Sequence, residues 1–243
     1  MNIIIPLGGK GERFKKEGYL LPKPLIKIFD KEIIFYVLDN LFFNDDDNIF
    51  IIYNNELSEY DFENILLNKY PKINLIKLNN QTKGASETLS IGIKEIINNF
   101  KYSKKSLIID GDTFYTENII EYYRNINCNA VFYTKNYEDK PIFSYIELNN
   151  NKEIINIKEK VKISDNANTG AYAFLDINEL LYFSTFIIEN NITFNNEPYT
   201  SCIISEMLKN NKKFIGYELD NDFVHVLGTP IQVREYIEKN KYF

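Results

Sequence analysis

The chain has 243 residues, of which 44% are hydrophobic and 26% are charged, and its formal net charge is −6. This length fits one sizeable domain, and the composition is that of a folded globular protein rather than a disordered chain. The acidic balance argues against nucleic acid as a partner. The absence of any apolar run of membrane-spanning length argues against a membrane partner.

The two cysteines predict a reducing compartment. Cys128 and Cys202 lie far apart in the sequence and match neither a metal-ligand spacing nor a disulfide framework. The apolar stretch near the start has no positively charged region before it and is too short for a signal sequence. We therefore expect a cytoplasmic protein.

The first half of the chain alternates strands with helices. We predict strands at residues 2–7, 48–53, 74–78 and 106–109, with helices at 31–43, 58–69 and 86–99. This alternation is typical of a parallel, doubly wound sheet that helices cover on both faces. Ligands of such sheets bind beyond the carboxyl ends of the strands.

The second half has a different rhythm, which predicts a mixed or antiparallel section and one wall of a substrate pocket. We predict strands at 130–134, 143–148, 154–158, 170–175, 214–219 and 223–227, with helices at 177–188, at 201–209 and from Pro230 onward. The chain contains no repeat and no linker. We therefore expect one domain over 1–243, with a nucleotide-binding half at 1–125 and a substrate-binding half at 126–243.

The stretch PLGGKGERF follows the first predicted strand. Its glycines lack Cβ atoms, so backbone N–H groups can approach a ligand and form an anion cradle. Arg13 carries a fork of donors that matches phosphate oxygens, and Lys23 lies between two prolines in PKPLI. The stretch matches neither the P-loop nor the dinucleotide-binding fingerprint. The residues alone therefore leave open another kind of phosphate loop or a plain glycine turn.

Two further stretches carry polar groups beyond predicted strands. In QTKGASETL, Gln81 can donate and accept, Gly84 allows close approach to a base, and Ser86 can cap the following helix. In LIIDGDTFY, Asp110 and Asp112 follow the fourth strand, and carboxylates suit Mg²⁺. The structural alternatives are a capped helix with a loop glycine and an Asp-Gly turn.

Together, GGKGERF and PKPLI resemble the signature of the sugar-1-phosphate nucleotidyltransferases, also called nucleotide-sugar pyrophosphorylases, of the short single-domain type. That signature is a G-G-x-G-x-R loop followed, ten or so residues on, by P-K-x-L. The resemblance covers residues 1 to about 236. It implies a Rossmann-like αβα sandwich with a mixed central sheet, a fold of the nucleotidyltransferase or GT-A-like kind. It also implies Mg²⁺-dependent transfer of a nucleoside monophosphate from an NTP to a phosphorylated acceptor, most simply a sugar 1-phosphate, with release of pyrophosphate.

The resemblance also implies roles for individual residues. Arg13 and Lys23 would be catalytic, and Asp112 would hold the metal, with Asp110 structural or behind it. The residues implied in nucleotide binding are Leu7, Gly8, Gly9, Gly11, Gln81, Gly84 and Ala85. IKEK and NTGAYAF resemble the family's E-K pair and N-x-G-x-Y strand, which implies that Glu159, Lys160, Asn168 and Thr169 bind the acceptor. Glu159 and Lys160 also fit a solvated pair in a lysine-rich segment.

The sequence departs from the family pattern in three places. Phe143-Ser144-Tyr145 stands where a glycine often precedes the substrate-facing strand, and KKEGYLL replaces a threonine-proline segment of the longer members. VHVLGTP lacks the carboxylate that serves as second metal ligand just before G-T-P. Either Asp222 or His225 substitutes for it, or one protein carboxylate suffices. We expect His225 to be structural.

Three alternative functions stay open at this stage. They are a cytidylyltransferase acting on a non-sugar phosphate such as phosphocholine, a glycosyltransferase of related fold that uses Asp110-Gly111-Asp112, and a non-catalytic nucleotide-binding module. Arg13, Lys23 and Asp112 favour a nucleotidyltransferase, because a triphosphate needs such groups. The resemblance further implies a role in capsule or surface polysaccharide synthesis and leaves a homodimer open.

Overall fold

A computed structural model describes residues 1–241, so residues 242 and 243 of the predicted substrate-binding half lie outside it. The strands are β1 Asn2–Leu7, β2 Lys27–Ile28, β3 Lys31–Glu32, β4 Asn48–Tyr53, β5 Asn74–Lys77, β6 Ser106–Ile109, β7 Thr113–Tyr115, β8 Asn129–Lys135, β9 Ser144–Leu148, β10 Ile154–Glu159, β11 Asn166–Phe174, β12 Phe214–Glu218 and β13 Val224–Val226. The helices are α1 Glu12–Lys16, α2 Ile33–Asp39, α3 Phe62–Lys69, α4 Ala85–Asn99, α5 Ile119–Asn125, α6 Ile177–Glu189, α7 Thr200–Lys209 and α8 Pro230–Asn240. Short 3₁₀ helices occupy Lys23–Leu25, Asn55–Tyr60 and Asn221–Phe223.

The main sheet is mixed, as the sequence predicted. Its strands follow the order β10-β9-β11-β6-β1-β4-β5, and β8 pairs with both β11 and β12. The strands β1, β4, β5 and β6 run parallel, whereas β11 runs antiparallel to β6, β8 and β9. The antiparallel strand β11 therefore joins the two halves of the chain in one continuous sheet.

Helices cover both faces of this sheet because its central strands are apolar on both sides. Ile3 and Ile5 belong to one core cluster and Ile4 to the other, and all three are fully buried. Buried side chains of α2, α3, α5 and α8 pack in the first cluster, and those of α4, α6 and α7 pack in the second. The predicted Rossmann-like αβα sandwich is confirmed.

Most predicted elements are confirmed, and the errors have local causes. The helix predicted at 31–43 is shorter, because its first residues form a hairpin strand behind Phe29 and Asp30, both with positive φ. The helix predicted at 58–69 is interrupted at Asp61, whose φ is 57°. The prediction also missed β7 and α5, which are short and carry little periodicity. Within residues 1–241, no helix has the length and apolar character needed to cross a membrane.

The close packing of α4 on β4 predicts that a larger residue at one glycine of α4 will lower stability. A Cβ on Gly92 would lie 2.1 Å from Cδ1 and 2.5 Å from Cγ1 of the buried Ile52. We expect Gly92→Ala to lower the free energy of unfolding by about 1–3 kcal/mol through overpacking, although alanine favours helix by about 1 kcal/mol. Urea unfolding measures this difference in stability. Lys94→Ala is the control, because Lys94 is an exposed residue of α4. A Gly92→Ala protein as stable as wild type would contradict it.

Candidate functional site

A cavity of about 780 Å³ opens at the carboxyl ends of β1 and β6. This volume falls in the range of small-molecule sites, about 300–1,000 Å³. Six parts of the chain line it: the loop after β1, Lys23, the segment that leads into α4, the turn after β6, Glu197 with Tyr199, and Gly228. The predicted site residues in its wall are Gly8, Gly9, Gly11, Arg13, Lys23, Gln81, Gly84, Ala85 and Asp112.

Two amide side chains donate hydrogen bonds to carbonyl groups of the loop after β1. The Asn54 side-chain nitrogen donates to the Gly9 carbonyl at 3.0 Å, and the Gln81 nitrogen donates to the Gly8 carbonyl at 2.8 Å. Gly11 has a φ of 66° and begins α1. Within residues 1–241, the N–H groups of Gly9 and Gly11 donate no hydrogen bond. The loop therefore has its carbonyls fixed and retains donors for an anion.

Gly8 is required by the close approach of β1 to α4. A Cβ there would lie 2.0 Å from Oγ1 of Thr88 and 2.8 Å from Oγ1 of Thr82. These two buried hydroxyls hydrogen-bond each other at 2.7 Å. Leu7, by contrast, has its side chain in the core against Gly111 and does not line the cavity.

The cations along the cavity fall into two kinds. Lys10, Arg13 and Lys83 line it and form no ion pair or side-chain hydrogen bond among residues 1–241. Lys23, by contrast, forms an ion pair, because its Nζ lies 2.5 Å from Oδ2 of Asp112. The unpaired cations can bind an anion without first losing a partner.

Asp110 and Asp112 bring two carboxylates together beside one ammonium. Burial would raise the pKa of Asp112, but the Lys23 charge and hydrogen bond, with help from Thr113 and Arg13, hold that pKa below its usual value. Burial and the charge of Asp112 raise the pKa of Asp110. Two neighbouring carboxyl groups offer oxygen ligands of the kind that a divalent cation prefers. No cluster of three or more His, Cys, Asp or Glu side chains suited to a metal occurs among residues 1–241, so bound phosphates would have to complete the coordination of Mg²⁺.

The two candidates for a second metal ligand lie elsewhere. The His225 ring stacks on Phe114 at 4.6 Å and meets Tyr236 edge-on, and burial lowers the pKa of His225. Asp222 is exposed, and its N–H donates to Asp220. The chain approaches Asp112 at Leu227, whose N–H donates to the Asp112 carbonyl at 2.7 Å. That segment therefore presents backbone, not a carboxylate, to Asp112.

Glu159 and Lys160 lie beside the cavity. Lys160 contacts Tyr199 of the cavity wall, and Glu159 contacts Ser201 next to it. Oε2 of Glu159 accepts from Ser201 at 2.7 Å, and burial raises the pKa of Glu159. Nζ of Lys160 donates to the Tyr199 hydroxyl at 2.5 Å and lies 3.8 Å from Glu159. Tyr199 in turn donates to Glu197. The pair is thus part of a bonded cluster and not freely solvated.

Asn168 and Thr169, which were predicted to bind the acceptor, do not line the cavity. Both are buried at an irregularity of β11, between its pairings with the start and the end of β8. The Asn168 side chain donates to Ser144 and accepts from the Gly170 N–H, and the Thr169 hydroxyl donates to the Phe132 carbonyl. These side chains have protein partners and shape the strand next to Asp110, whose N–H donates to the Gly170 carbonyl at 2.8 Å.

Sequence reasoning missed several residues of the site, among them Lys10, Lys83, Asn54, Glu197 and Tyr199. Asn54 directly follows a parallel strand, so the rule for strand ends could have found it. Glu197 and Tyr199 precede α7 and follow no strand of the main sheet. Only the packing of residues 197–199 against Gly84 and Ser86 brings them to the cavity.

The chain resembles known proteins over nearly its whole length. A family model described as nucleotidyl transferase matches residues 2–213. The bifunctional protein GlmU of Methanocaldococcus jannaschii is 27% identical over 249 aligned positions, which cover 100% of this chain and 54% of that protein. The chain therefore spans about half the length of this curated relative.

Solved structures share the fold at lower identity. The nucleoside-diphosphate-sugar pyrophosphorylase of Vibrio cholerae RC9 superposes with a TM-score of 0.86 at 18% identity, over 97% of this chain and 99% of that one. The CTP:phosphocholine cytidylyltransferase of Streptococcus pneumoniae has a TM-score of 0.70 at 16% identity, over 98% of both chains.

Two adjacent glycines of the loop give a matched test of the site's packing. We expect Gly8→Ala to lower the free energy of unfolding by about 1–3 kcal/mol, because the methyl would displace the buried Thr82 and Thr88 hydroxyls. A Cβ on Gly9 would meet nothing within 4 Å, so Gly9→Ala should change stability by no more than about 0.5 kcal/mol. Urea unfolding of both variants measures the difference, and equal stabilities would refute the packing.

Proposed function

This chain belongs to the nucleotidyl transferase family, and on that premise we propose that it transfers a nucleoside monophosphate from an NTP to a sugar 1-phosphate and releases pyrophosphate. The observation that carries the proposal is the joint placement of a donor-rich glycine loop, the unpaired Arg13, and the Lys23–Asp112 pair around one cavity. A triphosphate needs these groups, whereas a nucleotide-sugar donor or a passive binding module does not need all of them.

The chemistry follows from charge placement. A phosphate oxygen of the acceptor attacks the α-phosphorus of the NTP, a new oxygen–phosphorus bond forms, and the bond to the β-phosphate oxygen breaks. The attacking oxygen is already anionic, so no general base is required. The loop N–H groups and Arg13 would hold the triphosphate and the leaving pyrophosphate. Lys23 would neutralise the charge that builds on the α-phosphate.

Asp112 would hold Mg²⁺, with Asp110 beside it. Two neighbouring carboxyl groups, of which Asp112 is paired with Lys23, fit a hard divalent ion that keeps water and phosphate ligands. When bound, Mg²⁺ would reduce repulsion between the two anionic substrates. Lys23 neutralises Asp112 in this structure; a cation held by Asp112 would supply that charge instead, which would leave the Lys23 ammonium available to phosphate.

Family membership supports two broader proposals. We place the enzyme in the cytoplasm, where NTPs and sugar phosphates are found together. We also propose that its product is a nucleotide sugar for capsule or surface polysaccharide synthesis.

One observation favours a second candidate, a cytidylyltransferase for a non-sugar phosphate with a cationic group such as phosphocholine. Glu159 and Glu197 flank the cluster around Lys160, and Glu197 has no ion pair among residues 1–241. A carboxylate without a cationic partner can bind a positively charged ligand.

Pyrophosphate release decides between these functions. We expect the protein with Mg²⁺ to release pyrophosphate with one of CTP, UTP, dTTP, GTP or ATP and one acceptor from a panel of sugar phosphates and phosphocholine. Dependence on a sugar 1-phosphate supports the first candidate, and dependence on phosphocholine supports the second. Nucleotide binding without pyrophosphate release for any pair would contradict both candidates.

Lys23→Ala tests the catalytic assignment. We expect kcat to fall by a factor of about 10²–10³ or more, because an interaction with developing charge is lost. The fold should be retained, since the Lys23 side chain is part-exposed. Lys94→Ala, on the exposed side of α4, should keep wild-type turnover. An unchanged kcat in Lys23→Ala would remove Lys23 from the mechanism.

The same variant tests the metal site without catalysis. Lys23 competes with a divalent cation for Asp112, so Lys23→Ala should raise the affinity of the nucleotide-free protein for Mn²⁺, by about tenfold. Lys10→Ala, which removes a cation not paired with Asp112, should have a smaller effect. Electron paramagnetic resonance of free Mn²⁺ measures both. Equal affinities in wild type and Lys23→Ala would exclude Asp112 as the ligand that Lys23 masks.

A further inference from the structure

We propose that Tyr199 is a positioning residue whose hydroxyl holds the ammonium of Lys160 in place to bind the acceptor phosphate. This inference rests on the proposed function and on the acceptor-binding role that the family resemblance implies for Lys160. Tyr199 lines the cavity, and its hydroxyl group accepts a hydrogen bond from Nζ of Lys160, next to the cavity wall.

The chemistry of the three side chains fixes the direction of each hydrogen bond. Lys160 has only donors, and an ionised Glu197 has only acceptors, so the Tyr199 hydroxyl accepts from Lys160 and donates to Glu197. Burial and the Glu197 hydrogen bond raise the pKa of Tyr199, so its proton stays in place. The Lys160 Nζ also lies 4.3 Å from the centre of the Tyr199 ring. The hydroxyl and the ring together restrict the position of the ammonium.

The segment that leads into α4 fixes the backbone of Tyr199. The Ser86 hydroxyl donates to the Tyr199 carbonyl at 2.7 Å, and the Ser86 N–H donates to the Pro198 carbonyl at 2.9 Å. Pro198 also packs against Gly84, where a Cβ would lie 2.9 Å from its Cδ. Tyr199 therefore connects the segment predicted to bind the base with the lysine predicted to bind the acceptor.

Lys160 is held in a conformation that lysine rarely adopts. Its φ is 49°, and its N–H donates to the Phe143 carbonyl at 2.9 Å. A left-handed conformation is unfavourable for a residue with a Cβ atom, and such strain concentrates at functional sites. One of the three ammonium donors is used by Tyr199, and Glu159 at 3.8 Å is beyond ordinary hydrogen-bond length. Two donors are thus left for a phosphate.

Tyr199→Phe tests the role because it removes the hydroxyl and keeps the ring. We would label lysines with acetic anhydride and follow the modification of Lys160 by mass spectrometry, with increasing inorganic phosphate as the probe of the anion site. We expect phosphate to protect Lys160 in the wild-type protein. In Tyr199→Phe, the concentration that gives half-protection should rise about tenfold, the factor that loss of one hydrogen bond to a charged group typically produces.

Tyr182→Phe is the matched control, because Tyr182 is exposed on α6 and remote from this cluster. Phosphate should protect Lys160 in this variant at the same concentration as in wild type. Circular dichroism should show that both variants are folded. Equal half-protection in wild type and Tyr199→Phe would overturn the proposal. The absence of phosphate protection of Lys160 in wild type would also overturn it, since Lys160 would then have no anion to meet.

Kinetics separate this inference from the proposed function. With an acceptor found by pyrophosphate release, Tyr199→Phe should raise the acceptor KM about tenfold and leave the NTP KM near its wild-type value. A general loss of structure would instead affect both. A wild-type protein that releases no pyrophosphate contradicts the proposed function, whereas an active wild type with an unchanged acceptor KM in Tyr199→Phe contradicts only the role of Tyr199.

Discussion

The central strand β1 is paired on both edges with parallel strands, and the rest of the site depends on this arrangement. Its register places Leu7 opposite Tyr53 of β4 and Ile4 opposite Ile108 of β6. The three strands therefore end at one edge of the sheet, where the glycine loop, Asn54 and the Asp110 turn meet. Both faces of β1 are apolar and buried, so the strand is held between the two layers of helices.

Charge in the cavity is arranged so that no ionised group has to be buried alone. Asp112 is neutralised by Lys23, while Asp110 depends on that same ammonium and has its pKa raised by burial and by Asp112. Such a cluster has a lower electrostatic cost once a divalent cation is present. The unpaired Arg13 has no such constraint, which makes it suited to an anion that arrives from solution.

The antiparallel strand β11 links the two halves of the chain and explains why its polar residues lie outside the cavity wall. Asn168 and Thr169 match the motif of a substrate-facing strand, but they lie where the pairing of β11 with β8 is irregular. There their side chains bond to Ser144 and the Phe132 carbonyl. A sequence motif fixes which residues are present, but the pleat and the irregularity decide which face they occupy.

The sequence by itself determined the elements whose signal is local. The strands at 2–7, 48–53 and 106–109 have the predicted bounds because each is a short apolar run between polar or turn residues. The loop glycines, Arg13, Lys23 and Asp112 follow or precede such elements, so their convergence could be predicted from the rule that ligands bind at the carboxyl ends of parallel strands. Only the tertiary structure decided that Lys23 pairs with Asp112, that Tyr199 meets Lys160, and that Leu7 faces the core. The first two contacts join residues far apart in the chain, which local periodicity does not encode. Leu7 belongs to a strand that is apolar on both faces, so alternation along the strand does not indicate which face borders the cavity.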